Sequence, residues 1–353
     1  MKERGGKIGY FCPLVPREII SAAGLQPVRL RGETSSIATA DAYLYPNLCP
    51  YIKSVLSSAL ADRDNLPEAV VFTRSCDGMR RLYDVWRSYL NPKFTYMLEI
   101  PKNSDEAAIG YFSKQLKDFA SQLSGYTGRR MMEKALQKAI VKENRSRRLL
   151  RDILSLQRTM PVSLKGSEIF LQGLNMFSEP ERVTERRIKE MHQKAWGSNG
   201  DKPAAGQVRI LISGNVMDRP ELFEMVEHMG AEIPVADLCT GLKFFSRQVP
   251  EEHEDPYLAL SMAYLGEPHC AHTASPIQRV DEIKKLITAY CVDGVVLTSL
   301  KYCDLHLYDM PYIARTLADA DIAVLSLEND YLFTNVSQMK TRVEAFIEML
   351  QGD

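Results

Sequence analysis

A short apolar run that ends in threonine and is soon followed by Cys-Asp occurs twice in this chain. The first copy is Ala69-Val70-Val71-Phe72-Thr73, then Arg74-Ser75-Cys76-Asp77, running on to Leu82-Tyr83-Asp84. The second is Gly294-Val295-Val296-Leu297-Thr298, then Ser299 to Tyr302 and Cys303-Asp304, running on to Leu307-Tyr308-Asp309. A continuous apolar run bounded by polar residues reads as a strand buried on both faces, which is the pattern of a parallel sheet. Ligand-binding groups of open α/β sheets collect at the carboxyl ends of such strands. A second echo is independent of the cysteines: Ala23-Gly24-Leu25-Gln26-Pro27-Val28 against Met229-Gly230-Ala231-Glu232-Ile233-Pro234-Val235. Together they predict two related α/β halves with a thiolate site between them.

The rest of the pattern fits duplication. Strands are expected at Lys7–Phe11, Gln26–Leu30, Ala69–Thr73 and Thr95–Ile100, with a further candidate at Ala40–Tyr45. Helices are expected at Pro16–Ala23, Tyr51–Ala61 and Met79–Trp86. Strand alternating with helix implies parallel pairing. Residues from about 105 to 195 then read as long, Lys- and Arg-rich helices with no strand between them, and Gly197–Pro203 reads as a linker. Alternation restarts with strands at Val208–Ile212, Ile233–Val235, Gly294–Thr298 and Ile322–Leu327. The helices between and after them are placed at Pro220–Met229, Val280–Tyr290, Pro311–Asp319 and Gln338–Leu350. The expected architecture is α/β, with two Rossmann-like domains carrying parallel sheets and a helical insertion between them. Residues 1–195 form the first domain and 205–353 the second.

Charge and composition remove several function classes. The 353 residues carry 44 basic and 45 acidic side chains, a net charge of −1. No global field draws this chain to nucleic acid or an anionic membrane. No apolar run approaches the length of a membrane span, and the first residues lack a signal-peptide core, so a cytoplasmic location is expected. No G-x-x-x-x-G-K-[ST] run occurs, so the chain is not expected to hydrolyse ATP itself. Neither a G-x-S-x-G elbow nor a G-x-G-x-x-G turn after a strand is present.

The seven cysteines are Cys12, Cys49, Cys76, Cys239, Cys270, Cys291 and Cys303, and no pair has C-x-x-C spacing. A metal site would have to gather its ligands from distant loops. Cys49, in a Pro-bounded turn before a helix, and Cys76 and Cys303, at strand ends before helices, have the strongest context. A helix N-terminus lowers a thiol's pKa and favours the metal-binding thiolate. Three thiolates select an iron–sulfur cluster or zinc. Closed structural zinc would need a fourth ligand, which Cys239 or His306 could supply. Cys12 could approach the same cleft. Cys270, in His269-Cys270-Ala271-His272, looks like a metal motif in irregular surroundings, and Cys291 reads as a core residue. Arg80 and Arg81, about 100° apart on a helix, are expected to differ, one facing the cleft or a partner.

The segments Asn47-Leu48-Cys49-Pro50-Tyr51, Ser75–Trp86 and Lys301–Asp304 resemble the 2-hydroxyacyl-CoA dehydratase family, which includes benzoyl-CoA reductase subunits and double-cubane cluster proteins. The resemblance runs from Pro16–Gly24 through Asp237-Leu238-Cys239-Thr240-Gly241 to Glu328–Tyr331 and Thr341–Phe346. It implies a 4Fe–4S cluster held by Cys49, Cys76 and Cys303 between two domains, with Cys239 a weaker candidate. It also implies an ATP-dependent activator iron–sulfur protein, a homologous partner subunit in a hetero- or homodimer, and an acyl-CoA substrate. The implied activity is radical elimination of water from a 2-hydroxyacyl-CoA, through a ketyl. Two alternatives follow from the same resemblance. One is a low-potential reductase component of the double-cubane (8Fe–9S, shared across a dimer) or benzoyl-CoA-reductase type. The other is a non-catalytic electron-relay subunit.

Overall fold

The computed structural model describes residues 6–33, 36–158, 162–179, 181–197, 207–266 and 270–352. The first residues, most of the expected Gly/Pro linker and His269 lie outside the described residues.

The chain packs as two units. The first contains β1 (Lys7–Tyr10), α1 (Arg17–Ala22), β2 (Gln26–Arg29), α2 (Pro50–Ala61), β3 (Ala69–Thr73), α3 (Asp77–Leu90), β4 (Phe94–Leu98) and α4 (Glu106–Thr127). Its four strands are all parallel, in the order β2-β1-β3-β4. β3 is buried along its whole length, as its continuous apolar sequence requires. Phe11, Phe72 and Trp86 pack with ring centroids 4.8 to 5.9 Å apart. This aromatic cluster fixes α3 against the sheet.

After α5 (Glu133–Leu156), α6 (Gly166–Met176) and α7 (Glu181–Gly197), the second sheet begins. It contains β5 (Arg209–Gly214), β6 (Glu232–Asp237), β7 (Gly294–Leu300) and β8 (Ala323–Asn329), all parallel, in the order β6-β5-β7-β8. Helices α8 (Glu221–His228), α9 (Leu242–Phe245), α10 (Pro256–Leu265), α11 (Pro276–Tyr290), α12 (Asp304–Ala318) and α13 (Val336–Gln351) complete the chain.

The two sheets have the same strand order, as duplication demands. Gly24 and Gly230 both adopt positive φ (77° and 85°) where a helix turns into the second strand of its sheet. Glycine takes this left-handed conformation without the Cβ cost. Arg74 N–H donates to Leu98 O, and Lys301 N–H to Asn329 O, each at 2.9 Å. In both sheets the chain leaving the third strand is thus held to the end of the fourth.

Four expectations are corrected. Residues 146–195, placed by sequence with the first domain, pack with the second sheet. The Phe170 ring on α6 stacks on Phe223 at 4.4 Å, and Gln157 O accepts from Arg209 Nη2 at 2.8 Å. An amphipathic helix shows that it has an apolar face but not which sheet that face covers. Conversely, α10 belongs to the first unit. Ser261 donates to Ile109 O at 2.6 Å, and Lys117 pairs with Asp255 at 2.7 Å. Its run of apolar residues has no helical period, so no helix is expected there from sequence. Ala40–Tyr45 is not a strand: Ala38–Ala42 forms a 3-10 turn, with Ala40 N–H on Ser57 Oγ. Finally, α12 begins directly after Cys303 and runs through Pro311. Proline suits a first helical turn, so the sequence marks a helix from Pro311, while the Cys303-Asp304 pattern marks the start that is found. Here the chain accepts one missing backbone bond instead.

Candidate thiol sites at the sheet edges

In the first unit, two cysteines cap neighbouring helices. Cys49 is the N-cap of α2, with Pro50 at the first helical position, and Cys76 is the N-cap of α3. The Cys76 Sγ accepts the Met79 backbone N–H at 3.4 Å. That bond and the α3 N-terminus both favour thiolate over thiol. The two helices meet at their starts. A Cβ on Gly78 would lie 3.2 Å from Ile52 Cγ1 and 3.9 Å from Cys76 Sγ. Glycine here lets the first turn of α3 approach α2, which keeps the two cysteine-bearing ends together. Cys12 follows β1, the strand beside β3, and its carbonyl accepts from Val15 N–H in a tight turn.

His272 supports the same edge. It is buried, and its Nε2 donates to Ile100 O at 3.0 Å, just beyond β4. Burial pulls its pKa below the ordinary value, while the backbones of Ile100 and Ser75 act against that without reversing it. A histidine buried in its neutral form makes stability fall on acidification. The unfolded chain takes up a proton near pH 6.5, and the folded chain does so only lower. This contribution is complete above about pH 6.5. Below that it is lost, by at most ~1.4 kcal/mol per pH unit for one such group. Urea unfolding between pH 8 and 5 should show this slope, and His272→Gln should flatten it.

In the second unit, Cys303 is the N-cap of α12, after β7. Tyr302, immediately before it, has φ 58°, an uncommon left-handed conformation for a bulky residue. Burial pushes the Cys303 thiol up, and the Asn215 side-chain amide and the His306 backbone N–H pull it back. Asn215 follows β5, the neighbour of β7, and Cys239 N–H reaches Asn215 O at 3.4 Å. Buried charges line the same edge. Lys243 Nζ pairs with Asp237 Oδ1 at 2.9 Å, and Ser213 donates to Asp237 Oδ2 at 2.8 Å. Burial lowers the Lys243 pKa, but Asp237 and Cys239 outweigh it and raise the net value. Arg279 pairs with Asp309 at 2.8 Å and stands 3.3 Å from His306 Nδ1. Arginine can only donate, so His306 accepts and is neutral. Its burial, with Arg279 and Lys243 nearby, holds its pKa well below the usual value. A neutral His306 tied to Arg279 joins α11 to α12.

None of the seven cysteines forms a disulfide. Cys291 is the exception to the sequence reading. It is exposed rather than part of the core and caps α11 with φ 48°. A short apolar residue after an aromatic one looks like core, but here the helix ends on it. Arg80 and Arg81 are both exposed. Arg81 makes a 3.3 Å contact with Asp77 on its own helix. Among the described residues, no group of three or more His, Cys, Asp or Glu side chains is arranged to hold a metal ion. Cys49 and Cys76 share one helix pair in the first unit, while Cys303, Cys239 and Cys270 belong to the second. Sequence reasoning missed Asn215, Lys243 and Arg279. Only the strand ending Ser213-Gly214-Asn215 marked the first of these.

Among the described residues, no helix is long and apolar enough to cross a membrane. The chain matches the family described as 2-hydroxyglutaryl-CoA dehydratase, D-component, over residues 12–350. It is similar to the Escherichia coli (strain K12) protein YjiM, provisionally named a dehydratase subunit, with 29% identity over 99% of this chain and 93% of that one. It is also similar to one of the benzoyl-CoA reductase subunits of Thauera aromatica, with 23% identity over 91% of this chain and 84% of that one. A third relative is the (R)-phenyllactyl-CoA dehydratase beta subunit of Clostridium sporogenes, with 22% identity over 99% and 93%.

Proposed function

The chain belongs to the 2-hydroxyglutaryl-CoA dehydratase D-component family, and on that premise we propose that it is an iron–sulfur subunit of an enzyme that removes water from a 2-hydroxyacyl-CoA by a radical route. Its cluster ligands are Cys49, Cys76 and Cys303. What supports this reading most is that all three are helix N-caps, with Cys76 and Cys303 after the third strand of duplicated sheets. The donor chemistry fits: cysteine sulfurs are the soft ligands that iron–sulfur clusters take. When bound, a 4Fe–4S cluster held by these cysteines would supply a low-potential electron and Lewis acidity.

The chain's own residues have simpler tasks. The Met79 N–H holds Cys76 oriented, Gly78 lets α3 start against α2, and His272 holds the backbone after β4. The missing phosphate loop fits a separate ATP-hydrolysing activator. The relatives are named as subunits, so a homologous partner chain is part of the proposal. The likeness to a benzoyl-CoA reductase subunit favours a second reading, a low-potential reductase component. Turnover assayed without oxygen separates the two. The first reading expects loss of water from a 2-hydroxyacyl-CoA only when the activator, ATP and the partner chain are all present. Reduction of an aromatic thioester with no dehydration would overturn it in favour of the second.

A further inference from the structure

The outer face of α12 carries two bare tyrosines, and we infer that a second copy of this chain docks there, helix against antiparallel helix, about a two-fold axis. The inference goes beyond the functional reading and holds whether or not Cys303 is a ligand. At 100° per residue, Asp304, Tyr308, Pro311, Tyr312 and Arg315 fall within an arc of roughly 100°. All of them are exposed, Tyr308 at 83% and Tyr312 at 46%. The opposite side of the helix, with His306, Ile313 and Leu317, is buried. The outer side of an amphipathic helix is ordinarily polar. Exposed tyrosines are instead what the centres of protein interfaces are enriched in.

The first unit supplies the comparison. Helix α3 also follows a cysteine beyond the third strand of its sheet. Its outer face carries Arg80, Arg81, Asp84 and Arg87, all exposed. The tyrosine of its Leu-Tyr-Asp run, Tyr83, packs edge-on to Phe72 with ring centroids 5.3 Å apart. The Arg87 guanidinium lies 5.3 Å from the Tyr83 ring centre. In α12 the tyrosine of the same run is Tyr308, and it is bare. The two helices hold the same place in their sheets and differ in the face turned outward.

The charges on this face identify the occupant. Asp304 stands in the first turn of α12 and Arg315 in the last. Their midpoint along the helix is also that of Tyr308 and Tyr312, close to Met310. A two-fold axis there sets Tyr308 of each copy beside Tyr312 of the other, and Asp304 beside Arg315. This is the self-complementary pattern that a symmetric contact requires. A parallel arrangement would bring like charges together, whereas the antiparallel one also opposes the helix dipoles. On its own helix Arg315 reaches Asp319 only at 3.8 Å, with both side chains exposed. Such a pair holds weakly and leaves the guanidinium able to turn to a second copy.

Sedimentation equilibrium of the full chain, purified without oxygen and without any other subunit, tests this. The expected result is a concentration-dependent equilibrium between monomer and dimer. Tyr308→Glu should weaken association by about thirtyfold or more, as loss of a central aromatic anchor does. Arg315→Asp sets aspartate against aspartate and should weaken it by about tenfold. The double variant Asp304→Arg/Arg315→Asp exchanges the pair and should recover most of that loss. Melting temperatures near that of the unaltered chain will show that the substitutions act at the surface. If Tyr308→Glu fails to fold, Arg315→Asp and the double variant carry the comparison. A chain that is monomeric at every concentration would overturn the inference, even if it associates with an unlike homologous subunit. A dimer indifferent to both single substitutions would overturn it too. Iron content of the same samples reports on the cluster reading alone, so the failure of one is distinguishable from the failure of the other.

Discussion

Replacing Cys76 by Ser should remove most of the iron from the protein, while replacing Cys291 by Ser should leave the iron unchanged. A serine hydroxyl is a harder and far less acidic donor than a thiol, so it does not substitute in a site selected by thiolate softness. The fold should survive the change, because Cys76 is an N-cap and serine is among the best N-cap residues. Its Oγ would take over the Met79 N–H that the sulfur now accepts. A loss of iron without a loss of melting temperature therefore reports ligation and not unfolding. Cys291 is the matched control: it is exposed and sits at the C-terminal end of α11. Iron retained in Cys76→Ser and lost in Cys291→Ser would reverse the assignment.

Replacing Arg209 by Leu should destabilise the protein by about 3 to 5 kcal/mol, the usual cost of leaving a buried charge without its partner. Arg209 is 2% exposed and stands 2.8 Å from Glu232, which is 7% exposed. It also donates to Tyr290 O at 3.0 Å and Gln157 O at 2.8 Å. One side chain thus joins β5, β6, the end of α11 and the segment after α5. The Arg209→Leu/Glu232→Leu pair should recover much of the loss, since both charges then leave the interior together. Urea unfolding of the two variants checks this. A loss under about 1 kcal/mol for the single variant would mean that Glu232 finds water or another partner when Arg209 is gone.

The sheets were legible because fully buried parallel strands write themselves as unbroken apolar runs. The apolar run matches β3 to the residue and falls two residues short of β7 only because Ser299 looks like a boundary. The duplication was legible for a related reason: Gly24 and Gly230 meet the same left-handed requirement at the same place in each half. The packing partners of the helices were not legible. Periodicity gives α6 an apolar face and says nothing of Phe223 beneath it, and α10 has no polar face to reveal a period at all. At the candidate site, the helix-capping positions of Cys49, Cys76 and Cys303 followed from local sequence, since strand ends and Pro-bounded turns are local features. Asn215, Lys243 and Arg279 meet their neighbours through the order of strands in the sheet. No spacing along the chain records that order.

Three thiols holding one cluster are the central claim, and counting iron and acid-labile sulfide in the unaltered protein, purified without oxygen, tests it most directly. The expected result is about four iron and four sulfide per chain, as one 4Fe–4S cluster requires. Iron and sulfide at background, or a single zinc in their place, would contradict it.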